Sequence, residues 1–218
     1  MLVTSYLDEY LLLMEKKPWL FEKSSVYPII TDVEKIREFE SKTGLKIGVL
    51  YKSAFNMLVV DLIDGKNGPF AYERVIPVAS ERAVICVPVI NNKLLLLEQF
   101  RHPTRTKQLC FPRGFGENGI PPIENAKKEL FEEIGAVARE CIPLGSLTAD
   151  SGLIGAHCDV FLCFADSYDE STRKEGIVRT VLLSEKELFE KISRGEIDDG
   201  FTLSAYSLFK ASKHKIQP

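Results

Sequence analysis

From Phe55 onward the chain is built of short apolar runs set off by turn residues, whereas its first fifty residues carry leucines at a wider, helical spacing. FNMLVVDLI and FAYERVIPV flank a DGKNG turn, and RAVICVPV and KLLLLEQF flank Asn91-Asn92. Both pairs predict β-hairpins, because Asn and Gly tolerate the positive φ that tight reversals demand. LGSLTA, CDVFLCFA and IVRTVLL predict further short strands. Helical spacing over residues 5–16 predicts one helix, and residues 31–44 predict a second, opened by a Thr31/Glu34 capping box and closed on Gly44. A Ser184/Glu187 box opens a later helix that stops near Gly195, and a last helix covers about residues 203–212. Interleaved strands and helices place the chain in the α/β class.

The segment GFGENGIPPIENAKKELFEEIG, Gly114 to Gly135, has the most pointed chemistry. Pro121 and Pro122 signal a helix start, where a missing N–H costs nothing, and Gly135 signals its stop. With Glu129 at zero, Glu133 falls near +40° and Glu132 near −60°, at about 100° per residue. Ile123, Ala126, Leu130 and Ile134 fall at roughly +60° to +140°, an apolar stripe that would seat the helix on a core. The carboxylates therefore border the buried stripe, facing a cleft edge, with no Lys or Arg among them to relieve their repulsion. Such an arc suits a hard divalent cation such as Mg²⁺, which takes oxygen ligands and keeps waters and substrate phosphates in the rest of its shell.

This segment resembles the Nudix box, which runs Gly, five residues, Glu, seven residues, Arg-Glu, an aliphatic, any residue, Glu-Glu, any residue, Gly, then an aliphatic. Gly114, Glu129, Leu130, Glu132, Glu133 and Gly135 stand in register without a gap. Ile120 replaces the first Glu, Lys128 the Arg and Ala136 the bulkier aliphatic. In the family that Glu and Arg brace each other as an ion pair, so the two exchanges remove one interaction. Upstream, ERAVICVPV and KLLLLEQFRHP, with Glu98-Gln99-Phe100-Arg101, resemble the ADP-ribose pyrophosphatase branch, and the resemblance spans roughly residues 55–213. A proline common in that branch about fifteen residues past the box is absent around Ala149, Asp150 and Ser151, which leaves the particular nucleotide derivative open.

The resemblance implies an α/β/α Nudix sandwich with a mixed β-sheet, covering residues 55–218 with residues 55–80 as leading strands. Residues 1–54, outside the resemblance, are expected to form an N-terminal helical extension that covers the substrate cleft, joins a dimer interface or packs on the sheet, the last two being favoured. It implies hydrolysis of a nucleoside diphosphate linked to another moiety, with Mg (or Mn) as cofactor, ADP-ribose or a nucleotide sugar as the leading substrate, and a homodimer. Two alternatives stay open: a Nudix-fold binding or regulatory module with weakened turnover, and a nucleoside triphosphate pyrophosphohydrolase. By resemblance Glu129 and Glu133 are metal ligands, Glu132 a ligand or an organiser of bound water, and the carbonyl of Arg113 a further ligand. Glu132, Glu133 and Glu175 form the catalytic set. Glu175 is the best match for a general base in a loop that also holds Asp166, Asp169 and Glu170. Arg101 is the leading phosphate contact, with Arg82 and Arg113 behind it. Glu117 is either a metal ligand or a solvated charge, and His102 a turn residue.

Composition narrows the partners. A net charge of −3, from 28 Lys and Arg against 31 Asp and Glu, gives no basic footprint for nucleic acid. No run reaches the roughly 18 apolar residues of a membrane span. The N-terminus lacks a basic lead and carries Asp8 and Glu9 inside its apolar segment, so a cytoplasmic location is expected. Five cysteines, 86, 110, 141, 158 and 163, show no CxxC spacing and read as small buried hydrophobes.

Overall fold

The computed structural model describes residues 5–78, 82–117, 119–172 and 176–216. Its contacts divide the chain into two compact units: residues 1–79 with 150–155, and residues 80–149 with 156–218. The division falls at 79, and not at 54, because the leading strands pair with a strand of the N-terminal segment.

In the first unit, helix α1 (Tyr6–Lys16) opens on a Ser5/Asp8 capping box, and α2 (Val33–Thr43) closes on Gly44 at φ 75°. The cap of α2 is Asp32, whose side chain accepts from the N–H of Lys35, so a single Asp cap one residue on stands in place of the expected Thr31/Glu34 box. Strand β1 (Gly48–Lys52), unforeseen in a stretch expected to be helical and irregular, pairs antiparallel with β2 (Asn56–Gly65). β2 and β3 (Gly68–Pro77) form the expected hairpin, in unbroken register from Asn56↔Pro77 to Gly65↔Gly68. Leu7, Tyr10 and Leu13 of α1, Ile36 of α2, and Val59, Leu62 and Ile76 share one core. Buried in it, Tyr10 donates to Asp61 Oδ1 at 2.5 Å, and Asp61 Oδ2 pairs with Arg74 Nε at 2.6 Å. Residues 150–155 return to this unit: the N–H of Val75 donates to the Leu153 carbonyl at 2.8 Å, and the Tyr72 hydroxyl to the Gly152 carbonyl at 2.8 Å.

The second unit is a three-layer α/β/α sandwich around a mixed sheet of β4 (Arg82–Ile90), β5 (Lys93–Arg101), β6 (Thr106–Cys110), β7 (Arg113–Phe115), β8 (Glu140–Leu147), β9 (His157–Phe164) and β10 (Ile177–Leu183). The main path runs β10-β5-β4-β9-β8, with β4 and β9 parallel. Both faces are covered, so the middle stretches of its central strands are apolar on both sides: Ile85, Val87, Leu94 and Leu96 face one layer, and Val84, Cys86, Leu95 and Leu97 the other. Helix α3 (Pro122–Ile134) lies on the second face through Ala126, Leu130 and Ile134. The first face is covered by α4 (Glu185–Ser193), through Leu188, and α5 (Gly200–Ile216), through Ala205, Tyr206 and Phe209.

The expected hairpin at Asn91-Asn92 forms, with φ of 51° and 60°, but pairs only Val89↔Leu94 and Ile90↔Lys93. The strands then splay apart, and the segment carrying β6 and β7 enters the gap. β6 adds to β5 and β7 to β4, and the N–H of Cys86 donates to the Pro112 carbonyl at 2.9 Å. The opened sheet thus presents Arg113-Gly114 to α3. The last helix begins at Gly200, three residues before the expected start, because Asp199 accepts the Thr202 N–H at 3.0 Å and its hydroxyl at 2.7 Å. No helix among the described residues is long and apolar enough to cross a membrane.

Candidate active site

Helix α3 ends as its sequence implies, with Gly135 in the left-handed region at φ 62° and its N–H returned to the Phe131 carbonyl. Its apolar stripe is buried, and the three glutamates follow the expected order of depth. Glu133, nearest the stripe, is 6% exposed, while Glu129 and Glu132 are half-buried. Glu133 Oε2 accepts the backbone N–H of Arg113 at 3.1 Å, which ties the helix to β7. Glu129 lies against Gly114 so closely that a Cβ built on that glycine would stand 2.0 Å from the carboxylate carbon. Gly114 therefore serves as a cradle: the absent side chain is the space Glu129 fills. Two of the three glutamates are thereby brought against the β7 backbone.

Lys128 keeps an acid despite the loss of one at position 120. Its ammonium pairs with Glu117 and lies 3.6 Å from Glu132 Oε1. The hydrogen bond that Lys128 donates to Glu117 is the largest cause that raises the Lys128 pKa. An acid–base pair thus stands three residues along the loop from position 120, where Glu117, itself exposed, engages the lysine. A residue that sequence reasoning missed holds this loop: buried Asn125 accepts the Glu117 N–H at 3.2 Å and donates to the Ile120 carbonyl at 3.2 Å. By the same arithmetic Asn125 falls near −40°, inside the carboxylate arc, and a lone amide among the acids was its signal.

The three expected arginines go separate ways. Arg101, at the end of β5, donates from Nη2 to Cys110 Sγ at 3.1 Å, while its buried Nε has no hydrogen-bond partner among the described residues. The guanidinium of Arg113 turns to α5, 3.3 Å from Asp199 Oδ1 and stacked 4.2 Å from the Phe201 ring centroid. Its Nη1 is buried and unpartnered. Burial, chiefly, pulls the Arg113 pKa down, and the nearby charge of Arg101 adds to this. Arg82 pairs with Asp159 at 3.4 Å in a shallow groove lined by Pro122, Ile123 and Pro143, which none of the α3 glutamates lines. Asp199 was not foreseen as a site residue, although an acid three residues before Thr202 is a helix-start signal.

Glu175 lies outside the described residues. The other acids of its loop are engaged locally: Asp166 with Arg139 at 3.0 Å, Asp169 with the Ser171 N–H at 2.8 Å, and Glu170 with Thr180. The bonds from Ser171 hold the Asp169 carboxyl below its ordinary value. His102 stands in an exposed turn and shares a hydrogen bond with Arg105 at 2.9 Å. Among the described residues, no three His, Cys, Asp or Glu side chains stand grouped as a metal ion would need, the α3 glutamates included. The donors that α3 offers are nonetheless all oxygen, the chemistry a hard cation takes alongside water and substrate.

Comparison with known proteins places this geometry. The family pattern of the NUDIX domain matches residues 79–204. The ADP compounds hydrolase NudE of Escherichia coli (strain K12) is 27% identical over 136 residues, 62% of this chain and 72% of that protein. The methanol dehydrogenase activator of Bacillus methanolicus is 26% identical over 183 residues, 81% of this chain and 98% of that protein. Among solved structures, the crystal structure of an ADP compounds hydrolase shares the fold with a TM-score of 0.68 at 21% identity, over 80% of this chain and 95% of that one.

Proposed function

Since the chain belongs to the NUDIX family and is a hydrolase of phosphoric anhydrides, we propose that it cleaves the pyrophosphate bond of an ADP-linked compound, ADP-ribose or a nucleotide sugar, with Mg²⁺ or Mn²⁺. The observation that carries this reading is the seat of α3 on β7, where Glu129 fills the space of the missing Gly114 side chain and Glu133 is anchored to the Arg113 N–H. Glu129, Glu132, Glu133 and the Arg113 carbonyl would hold the metal. When bound, it neutralises the two phosphates and lowers the pKa of the attacking water. Arg101 and Arg113 carry buried guanidinium N–H groups without partners, and such forks match phosphate oxygens. Arg82, already paired with Asp159, has a lesser role. Glu175 takes the proton of the attacking water, the other acids of its loop being engaged in local bonds. The name of the Escherichia coli relative supports an ADP-containing substrate. A cytoplasmic homodimer completes the proposal, and light scattering tests the dimer.

The decisive assay incubates the protein with Mg²⁺ or Mn²⁺ and a panel of ADP-ribose, nucleotide sugars, dinucleotides and nucleoside triphosphates, beside a Glu132→Gln/Glu133→Gln variant. Metal-dependent release of AMP by the native chain alone is expected. Equal turnover by the variant, or cleavage confined to triphosphates, refutes the proposal. Glu175→Gln should flatten the acid limb of the rate profile while leaving metal affinity, measured by calorimetry, unchanged.

A further inference from the structure

Away from the glutamates, on the sheet beneath α3, two cysteines that are far apart in sequence stand side by side. Cys141 of β8 and Cys163 of β9 are direct partners in the antiparallel register, and their sulfurs are 2.9 Å apart, closer than two unbonded sulfurs ordinarily rest. Opposed residues of antiparallel strands have Cα atoms about 4.5–5.5 Å apart, inside the range a disulfide spans. β8 is the edge strand of its sheet and Cys141 is half-exposed, so a small oxidant reaches it, whereas Cys163 is fully buried. The bond with Cys163 and burial hold the Cys141 thiol well above its ordinary value, and Cys163 is held up too, because the lowering from its bond with Cys141 is outweighed by the bond with Cys86 and burial; the charge of Lys127 on α3 offsets this only in part at each. The third thiol of the neighbourhood, Cys86, donates to the Ala126 carbonyl at 3.2 Å and also bonds with Cys163, so it is the competing partner in any pairing.

We propose that Cys141 and Cys163 form a reversible staple that closes to an intrachain disulfide under peroxide. The Cys141 thiolate attacks one peroxide oxygen, so that an S–O bond forms and the O–O bond breaks. Cys141 becomes a sulfenic acid, oxidised by two electrons, and the peroxide is reduced to water. Cys163 sulfur then attacks Cys141 sulfur and expels hydroxide, which leaves as water with the thiol proton of Cys163. A dithiol reductant reverses the bridge. Because the two strands are already paired at this position, closure ties them without moving either, and its effect falls on the unfolded chain, which loses freedom across the enclosed loop.

The test exposes the native protein to hydrogen peroxide over hours, a period suited to thiols held protonated, then blocks free thiols with N-ethylmaleimide. Intact mass and peptide mapping should show the loss of two hydrogens, a Cys141–Cys163 linkage, and recovery of both thiols with dithiothreitol. The oxidised protein should unfold several degrees higher than the reduced one, a typical return for a bridge over a loop of this size. Cys141→Ser should abolish the linkage and the shift, and Cys158→Ser should keep both. No linkage, a different pairing, over-oxidation of Cys141 in its place, or a linkage without a rise in the unfolding midpoint overturns the proposal. The mapping of the native chain decides the pairing even if a variant fails to fold.

Discussion

At Gly114 one methyl group is enough to displace Glu129, since a Cβ there would meet both carboxylate oxygens within 2.3 Å. Gly114→Ala should therefore lower metal affinity on the order of 10–100-fold, as losing a supporting contact at a metal site does, with the fold intact by circular dichroism. An unchanged isotherm would show that Glu129 has no part in the site. Lys128 offers a complementary test, because its partner is supplied by the loop rather than by position 120. Lys128→Met should weaken Mg²⁺ binding about 10-fold and leave thermal stability nearly unchanged, since exposed pairs contribute little. Ile120→Glu/Lys128→Arg, which rebuilds the family's pair, should keep native affinity even when combined with Glu117→Gln. The carboxylate arc was legible because helical periodicity fixes it. The Glu117–Lys128 pairing was not, because a loop contact has no period to read.

Among the elements, those with punctuation in the sequence were the ones sequence reasoning recovered. α3 between two prolines and Gly135, and α4 with its Ser184/Glu187 box, fall where expected. β6 and β7 were missed because neither is stable alone: each is a short segment captured by the gap between β4 and β5. The splay of that hairpin depends on long-range pairing, which a run of alternating residues does not encode. Asp199 joins two elements, capping α5 with one oxygen and pairing with Arg113 through the other. Asp199→Ala should destabilise the protein by about 2–4 kcal/mol through the lost cap and the uncompensated, largely buried guanidinium, read from the urea midpoint. Asp199→Asn keeps an acceptor for the cap and should cost less.

For the whole molecule, the sequence implied one domain with an extension, but each of the two compact units has its own core. β2 and β3 look like leading strands of the larger sheet until their partner β1 is known, and with it they belong to the compact unit that runs to residue 79. The units should also differ in their response to alkali. Burial, chiefly, holds the Tyr10 hydroxyl well above its ordinary value of 10.0. The stability it contributes is full below that pH and is lost as pH rises beyond it, because the unfolded tyrosine gives up its proton and the folded one does not. Hydrogen exchange should show protection in residues 5–78 falling above pH 10. Tyr10→Phe should flatten that fall, at a cost of about 1–3 kcal/mol near neutrality from the unmet Asp61.

Residues 150–155, which hydrogen-bond to β3, have a consequence for the order in which the chain is made. Val75 must wait until Leu153 has left the ribosome, so the first unit is completed only after nearly eighty further residues have been added (75 to 153). During that interval the β3 edge has a vacant position, and a chaperone or a neighbouring nascent chain has its best chance to bind there. Translation that pauses before Leu153 should therefore lower soluble yield more than a pause placed after Gly155.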